Sequence, residues 1–270
     1  MSTRVQHFRR LHESGCFVIP NPWDRGTAIY LETLGFKALA TTSAGMAWSS
    51  GRPDNAVTLE QALRHLEEIA SAVAVPVNAD FEGGFATEPE RVGANVARAA
   101  RTGIAGLSIE DSSGDAREPL LDFALARERI VAARAAIDQS GSGVLLTARS
   151  EGFFVGRPDI EETLKRLQAY SAAGADVLYA PGIRSKEHIT AVVKAVAPKP
   201  VNLLMPGNWM TVAEAAALGV RRISTGGALA RSAWSGFVKA AKEIAESGSF
   251  AGLSSPELSA NLNHIFQARR

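Results

Sequence analysis

A chain of 270 residues is long for an ordinary domain, but it matches the roughly 250 residues of a single α/β barrel and can bury a substantial core. Its 29 basic and 28 acidic residues leave a net charge of +1, which excludes the electrostatic footprint of a nucleic-acid or anionic-membrane binder and favours a small-molecule partner. The single cysteine, Cys16, excludes an internal disulfide framework and a multi-cysteine zinc site, as suits a reducing, cytoplasmic setting. Residues 1–10 are polar and basic with no apolar stretch behind them, and no run of about 18 apolar residues occurs, so neither secretion nor membrane insertion is expected.

In chain order, short apolar runs of strand character fall at 16–20, 38–42, 75–80, 106–110, 144–149, 177–180, 201–205 and 222–225. Cys16 lies in the first run and reads as a small buried hydrophobe. Helix-period segments are predicted over 59–72, 89–102, 123–140, 160–173, 186–197, 212–218 and 230–247. Eight βα units whose strands read as continuous apolar runs predict a (β/α)8 TIM-type barrel, with a doubly wound sheet as the alternative. No dinucleotide-type glycine fingerprint follows a strand; Gly83-Gly84 and Gly226-Gly227 do not make one. The barrel is assigned residues 1–248. Residues 249–270 read as an extra C-terminal helix, with Pro256 in its first turn and Leu258, Leu262, Ile265 and Phe266 at helical spacing.

Active sites of such barrels form at the C-terminal ends of the strands, and here those ends are rich in polar residues. Asp80, Glu82 and Glu110 would bring three carboxylates to adjacent strand ends, an arrangement that a hard cation relieves; oxygen ligands with retained waters point to Mg2+ or Mn2+. The alternative is an ion network with Arg149. That arginine, at the end of a buried strand, carries a planar fork suited to a carboxylate, with a salt bridge to Glu110 or Glu151 as the competing role. The small residues Ser43, Ala44 and Gly45 offer consecutive backbone N–H groups that can nest an anion. The five histidines fall in helices or termini and none is assigned to catalysis; Trp48, Trp209 and Trp234 are assigned to packing before a role at the mouth.

These residues together resemble the isocitrate lyase and phosphoenolpyruvate mutase superfamily: Pro20-Asn21-Pro22-Trp23-Asp24, Thr41-Thr42-Ser43-Ala44-Gly45, Gly51-Arg52-Pro53-Asp54, Asn78-Ala79-Asp80, Ile109-Glu110-Asp111, Ala148-Arg149 and Val201-Asn202. The resemblance implies a magnesium-dependent enzyme that makes or breaks a C–C or P–C bond beside the carbonyl of a 2-oxo acid, through an enolpyruvate-like intermediate. It implies substrate binding by Trp23, Ser43, Ala44, Gly45, Arg149 and Asn202, metal binding by Asp80, Glu82 and Glu110, and catalytic parts for Arg149, Glu110 and the loop residue Asp54. It also implies a homo-oligomer, dimer or tetramer, whose C-terminal helices are exchanged between subunits.

Two departures narrow that reading. The family's usual aspartate is Asn78 here, which removes a metal-directed charge that Glu82 would replace. Where lyase members carry a Lys-Lys-Cys-Gly-His loop, this chain has Ser112-Ser113-Gly114-Asp115-Ala116-Arg117, so a true isocitrate lyase is not expected. Asp115, Arg117 and Glu118 are either a replacement gating loop or solvated charges. The leading expectation is a lyase, decarboxylase or hydrolase acting at C3 of a small 2-oxo acid such as oxaloacetate, a substituted malate or phosphonopyruvate. The alternatives are a non-catalytic 2-oxo-acid-binding member and an aldolase-type phosphate-binding barrel using Ser224-Thr225-Gly226-Gly227.

Overall fold

The computed structural model describes residues 2–253 and 256–267; of the predicted C-terminal extension, 254–255 and 268–270 lie outside the described residues. Each predicted apolar run contains a strand: β1 (Phe17–Ile19), β2 (Leu39–Ala40), β3 (Val77–Asp80), β4 (Gly106–Glu110), β5 (Leu145–Arg149), β6 (Val177–Tyr179), β7 (Val201–Leu204) and β8 (Arg222–Ser224). All neighbouring pairs are parallel, in the order β1-β8-β7-β6-β5-β4-β3-β2. The Ala40 N–H donates to the Pro20 carbonyl at 3.0 Å and closes the ring between β2 and the end of β1. The chain is therefore a (β/α)8 barrel, which removes the edges an open sheet would expose.

The helices are α1 (Thr3–Leu11), α2 (Arg25–Thr33), α3 (Ser43–Ser49), α4 (Leu59–Ala72), α5 (Pro89–Ala99), α6 (Phe123–Ser140), α7 (Ile160–Ala172), α8 (Lys186–Val196), α9 (Val212–Ala217), α10 (Ala228–Ser247) and α11 (Pro256–Gln267). Three of them were not predicted. In α1 only Val5 and Phe8 are buried, so its apolar stripe is too short to read, and α2 is announced chiefly by its capping box, Asp24 with Thr27. The third, α3, converts the predicted Ser43–Ala44–Gly45 turn into the first turn of a helix capped by the Thr42 hydroxyl.

Helix and sheet bury one continuous core that includes Leu39, Val77, Leu107, Leu146 and Leu178 on the strands and Leu66, Val96, Ile130 and Leu167 on the helices. Each such side chain contributes about 1.5–3 kcal/mol through removal from water. Cys16 packs half-buried against this core, as expected of a small hydrophobe. Two histidines, one at the end of α1 and one within α4, are turned inward. His12 is buried edge-on to Phe8 and Phe17, where burial pushes it down to about 3, and burial likewise takes His65 down to about 4.

Beyond the barrel, α10 ends at the left-handed Gly248, and α11 returns to lie against α2, with Phe266 next to Gly26. Residues 231–239 of α10 are all exposed, including Trp234, Phe237 and Val238, which corrects the packing role expected for Trp234. No helix among the described residues is long and apolar enough to cross a membrane.

Gly45 is where α3 meets the barrel rim: a Cβ there would stand 2.7 Å from both Thr42 Cγ2 and Trp23 Cβ. Gly45→Ala is expected to destabilise the fold by about 1–3 kcal/mol through overpacking, measured as a lower urea midpoint at unchanged slope.

Candidate active site

Strand ends β2 to β8 and the loops beyond them enclose a cavity of about 330 Å³. Its wall toward β2–β5 carries Thr42, Ser43, Ala44, Asp54, Asn78, Asp80 and Arg149, and its wall toward β8 and α10 carries Asn21, Arg222, Thr225 and Arg231. Tyr179 and Asn202 stand between them, and Trp48 and Phe154 line the mouth. Trp48 is thus a mouth residue and not the packing residue expected, while Trp209 packs against the core.

Parallel register explains the charged corner. Glu110 pairs with Arg149 and Arg149 with Tyr179, so three polar strand ends are neighbours. The Arg149 Nη1 donates to Asp80 Oδ1 at 2.8 Å and lies 3.1 Å from Glu110 Oε2, its Nε donates to Glu151 Oε1 at 2.8 Å, and its guanidinium sits 5.3 Å from the Tyr179 ring centre. Burial by itself would lower the arginine, but Glu151, Glu110 and Asp80 hold it well above its ordinary value. The alternative role foreseen for Arg149 is therefore present in the fold: it is the counterion of three carboxylates, with Nη2 alone left unpartnered by any described side chain.

One cation does not satisfy this corner. Glu110 is pushed up to about 8 by burial, which outweighs Arg149. Glu82 is also pushed up to about 8, by burial and then by Asp80 and Asp54, and its Oε1 is buried without a partner among the described residues. Asp54 is raised by burial and by Asp80, while the Ser43 side chain hydrogen-bonds to it.

The predicted metal set of Asp80, Glu82 and Glu110 is not assembled: among the described residues no group of three or more His, Cys, Asp or Glu side chains is placed to hold an ion. Glu110 turns to Arg149, and Glu82, with a left-handed φ of 47°, points behind the Thr41–Ser43 wall into a separate small void shared with His65 and Phe85. Only Asp80 of the three lines the main cavity, with Asp54 beside it and Asn78 below. The Asn78 Oδ1 is buried without a partner among the described residues, so that wall offers oxygen donors only.

Other predicted residues divide in the same way. Ser43 and Ala44 line the cavity, yet the nest is partly filled from within, since the Ser43 N–H donates to Asp80 Oδ2 at 3.0 Å and the Gly45 N–H to Thr42 Oγ1 at 3.3 Å. Gly45 does not line the cavity, and Trp23 is on the far side of α3, in a groove with Met46 and Arg64. Asn202 does line it, but its Nδ2 donates to Ser224 Oγ and its Oδ1 accepts from Arg222 Nε at 2.8 Å. Asp115 and Arg117 pair with each other on an exposed hairpin closed by Ser112 and Leu120, away from the cavity.

The turn considered for phosphate is also occupied: Asn21 Oδ1 accepts from the Thr225 N–H, the Gly226 N–H and the Thr225 hydroxyl at 2.9–3.2 Å. No lysine lines the cavity. Sequence reasoning missed Arg222 and Arg231, the two cations of the β8 side. Arg231 is only one turn into α10, and the placement of catalytic groups at the very ends of strands overlooks residues on the helix that follows. Arg231 has no carboxylate partner among the described residues.

Residues 8–245 match the phosphoenolpyruvate phosphomutase family, and the chain belongs to it, within the isocitrate lyase and phosphoenolpyruvate mutase superfamily. Its structure superposes at a TM-score of 0.94 on a candidate lyase/mutase from Burkholderia cenocepacia J2315, with 44% identity over 98% of this chain and 96% of that one. An uncharacterized protein of Mycobacterium tuberculosis (strain ATCC 25618 / H37Rv) is 35% identical over 81% of each chain. Oxaloacetate acetylhydrolase in complex with the product oxalate superposes at a TM-score of 0.86, with 28% identity over 97% of this chain and 93% of that one.

The raised carboxyls make stability pH-dependent. The folded state holds the Glu82 proton up to about pH 8, whereas an unperturbed glutamate releases it near 4.5. The contribution is therefore full below pH 4.5 and is lost as pH rises toward 8. In EDTA, Glu82→Gln is expected to melt well above the parent at pH 9, by on the order of 2 kcal/mol, and near it at pH 5; parallel pH–melting profiles would reject the assignment.

Proposed function

We propose that the protein is an enzyme that cleaves the bond at C3 of a small 2-oxo dicarboxylate resembling oxaloacetate, with the aid of a divalent cation. The observation that carries the reading is the polarity of one cavity: the carboxyl groups of Asp54 and Asp80 face it from one wall, and from the other Arg231, which has no carboxylate partner among the described residues.

The oxygen-only wall suits Mg2+ or Mn2+, which bind through one or two carboxylates and keep several waters. Asp80 would hold the ion; each of its carboxylate oxygens accepts one hydrogen bond and has lone-pair capacity to spare. When bound, the ion supplies Lewis acidity to the substrate's 2-oxo group. Around it, Arg149 positions Asp80, the Ala44 N–H at the start of α3 faces a carboxylate, and Arg231 takes the charge at the mouth. Trp48 and Phe154, the latter 61% exposed at the rim, exclude water when a ligand fills the cavity. Breaking the C3–C4 bond, with C4 leaving as CO2, would leave the enolate of the three-carbon 2-oxo acid, whose C3 then takes a proton, and the Asp54 carboxyl, raised by burial and facing the cavity, is the group on this chain suited to supply it. Carbon–carbon chemistry is favoured over phosphoryl chemistry because the phosphate-type turn is already capped by Asn21.

The relative solved with oxalate acts on oxaloacetate by its name, which supports this substrate class. A melting-temperature panel of 2-oxo and 2-hydroxy dicarboxylates with and without Mg2+, followed by assay for pyruvate, oxalate and CO2, tests the reading. Magnesium-dependent stabilisation with product is expected. Stabilisation without product would assign a binding protein instead, and no stabilisation would reject the site. Arg231→Met is expected to weaken the stabilising ligand at least tenfold, the loss of one charged contact of about 1.5–3 kcal/mol.

We further propose a homo-oligomer, a dimer or tetramer, built on α10. Nine consecutive exposed residues carrying Trp234, Phe237 and Val238, continued by Phe250 and Leu253, leave an apolar face that a second copy would cover, with α11 beside it available for exchange. Phe237→Asp is expected to lower the mass measured by light scattering; an unchanged mass would remove this face from the interface.

A further inference from the structure

The interior of a (β/α)8 barrel is ordinarily filled by branched apolar side chains. Here β8 begins with Arg222, directed inward, and its side chain is only 3% exposed. Three of its five N–H groups are directed at neutral acceptors: Nε at Asn202 Oδ1 at 2.8 Å, Nη2 at Thr147 Oγ1 at 3.1 Å, and Nη1 at His12 Nε2 at 3.5 Å. His12 is held neutral by burial and by Arg222 itself, and the nearby Tyr179 phenol is pushed up to about 12 by burial, so neither offers a negative charge. No carboxylate among the described residues pairs with Arg222. Burial without a counterion takes the guanidinium down to about 10, still charged at neutral pH. Buried cations are otherwise paired, because an isolated one costs several kcal/mol in desolvation.

The same guanidinium lines the cavity, opposite the Asp54–Asp80 wall. We propose that Arg222 is an anion subsite at the cavity floor, where its two unspent N–H groups receive the second carboxylate of the ligand. It thereby selects dicarboxylates over monocarboxylates. The inference deepens the reading of the site and rests on it for the ligand's class, while the subsite itself requires no catalysis. An incoming carboxylate would supply the counterion that the fold omits, so binding and relief of the buried charge are one event. The location predicts specificity by charge: the floor reads one carboxylate of the ligand, and the mouth, with Arg231, reads the other.

The test is calorimetric titration of the full chain in Mg2+ with malate and with lactate, which differ by one carboxylate group on C3. The parent is expected to bind malate at least tenfold more tightly than lactate, and Arg222→Met to abolish that preference with little effect on lactate. Arg222→Lys is expected to restore part of it. Without ligand, Arg222→Met is expected to melt at or above the parent, because an uncompensated buried charge has been replaced by an apolar chain of similar length. A retained malate preference in Arg222→Met, or a large fall in its melting temperature, would overturn the proposal and make the arginine a structural hydrogen-bond donor. A second arm separates this from the substrate class. If the parent binds neither malate nor lactate but chloride raises its melting temperature and not that of Arg222→Met, the 2-oxo-acid reading fails and the anion subsite stands. If chloride has no Arg222-dependent effect either, the subsite is rejected as well.

Discussion

Arg149 is the interaction on which the rest of the site depends. One guanidinium joins carboxylates from the end of β3, the end of β4 and the second residue after β5, within hydrogen-bonding distance of all three. Breaking such a buried pairing from one side leaves uncompensated charge, which is why the corner is rigid once formed. Its consequences pass outward through named contacts. Held by Arg149, Asp80 directs its second oxygen to the Ser43 N–H and so fixes the start of α3; α3 in turn is seated on Trp23 through the missing Cβ of Gly45. The orientation of the cavity's first wall is thus set from one cation.

That cation is outnumbered. Asp54, Asp80, Glu82, Glu110 and Glu151 surround or face it, and burial first, then the neighbouring acids, raise the Glu82, Glu110 and Asp54 carboxyls above their ordinary range. On the β8 side the imbalance is reversed, with Arg222 buried among neutral partners and Arg231 at the mouth without a carboxylate partner among the described residues. A fold that separates charge across a small cavity instead of pairing it is less stable than it could be. The separation is useful only when something with complementary charge enters. Asn21 removes a competing possibility by capping the backbone turn after β8 that would otherwise attract anions.

The barrel was legible because its cause is local and periodic. Eight apolar runs of strand length, each followed by a helix-period segment, allow few ways to bury both faces, and each run contains a strand within one or two residues of its predicted ends. Strand-end polarity was legible too: Asp80 and Arg149 could be placed at the mouth because a strand terminus fixes where its last inward side chain points. What failed were inferences that needed a direction beyond the strand. Glu82, two residues past the end of β3, turns away on a left-handed backbone, and Trp23 is drawn to the outer side of α3. Arg231 is on a helix whose first turn bends back over the cavity, which no strand-end rule anticipates.

By itself, then, the sequence determined the fold class, the succession of strands and the charged groups at the ends of β3, β4 and β5, because hydrophobic periodicity and strand ends are properties of neighbouring residues. Only the tertiary structure decided which of those charges pair and which stay unspent. Arg149 is taken up by carboxylates from 69 and 2 residues away, while Arg222 meets His12 from 210 residues away and no acid among the described residues. Coulombic pairing depends on distances of a few ångströms between side chains that only the closed barrel brings together.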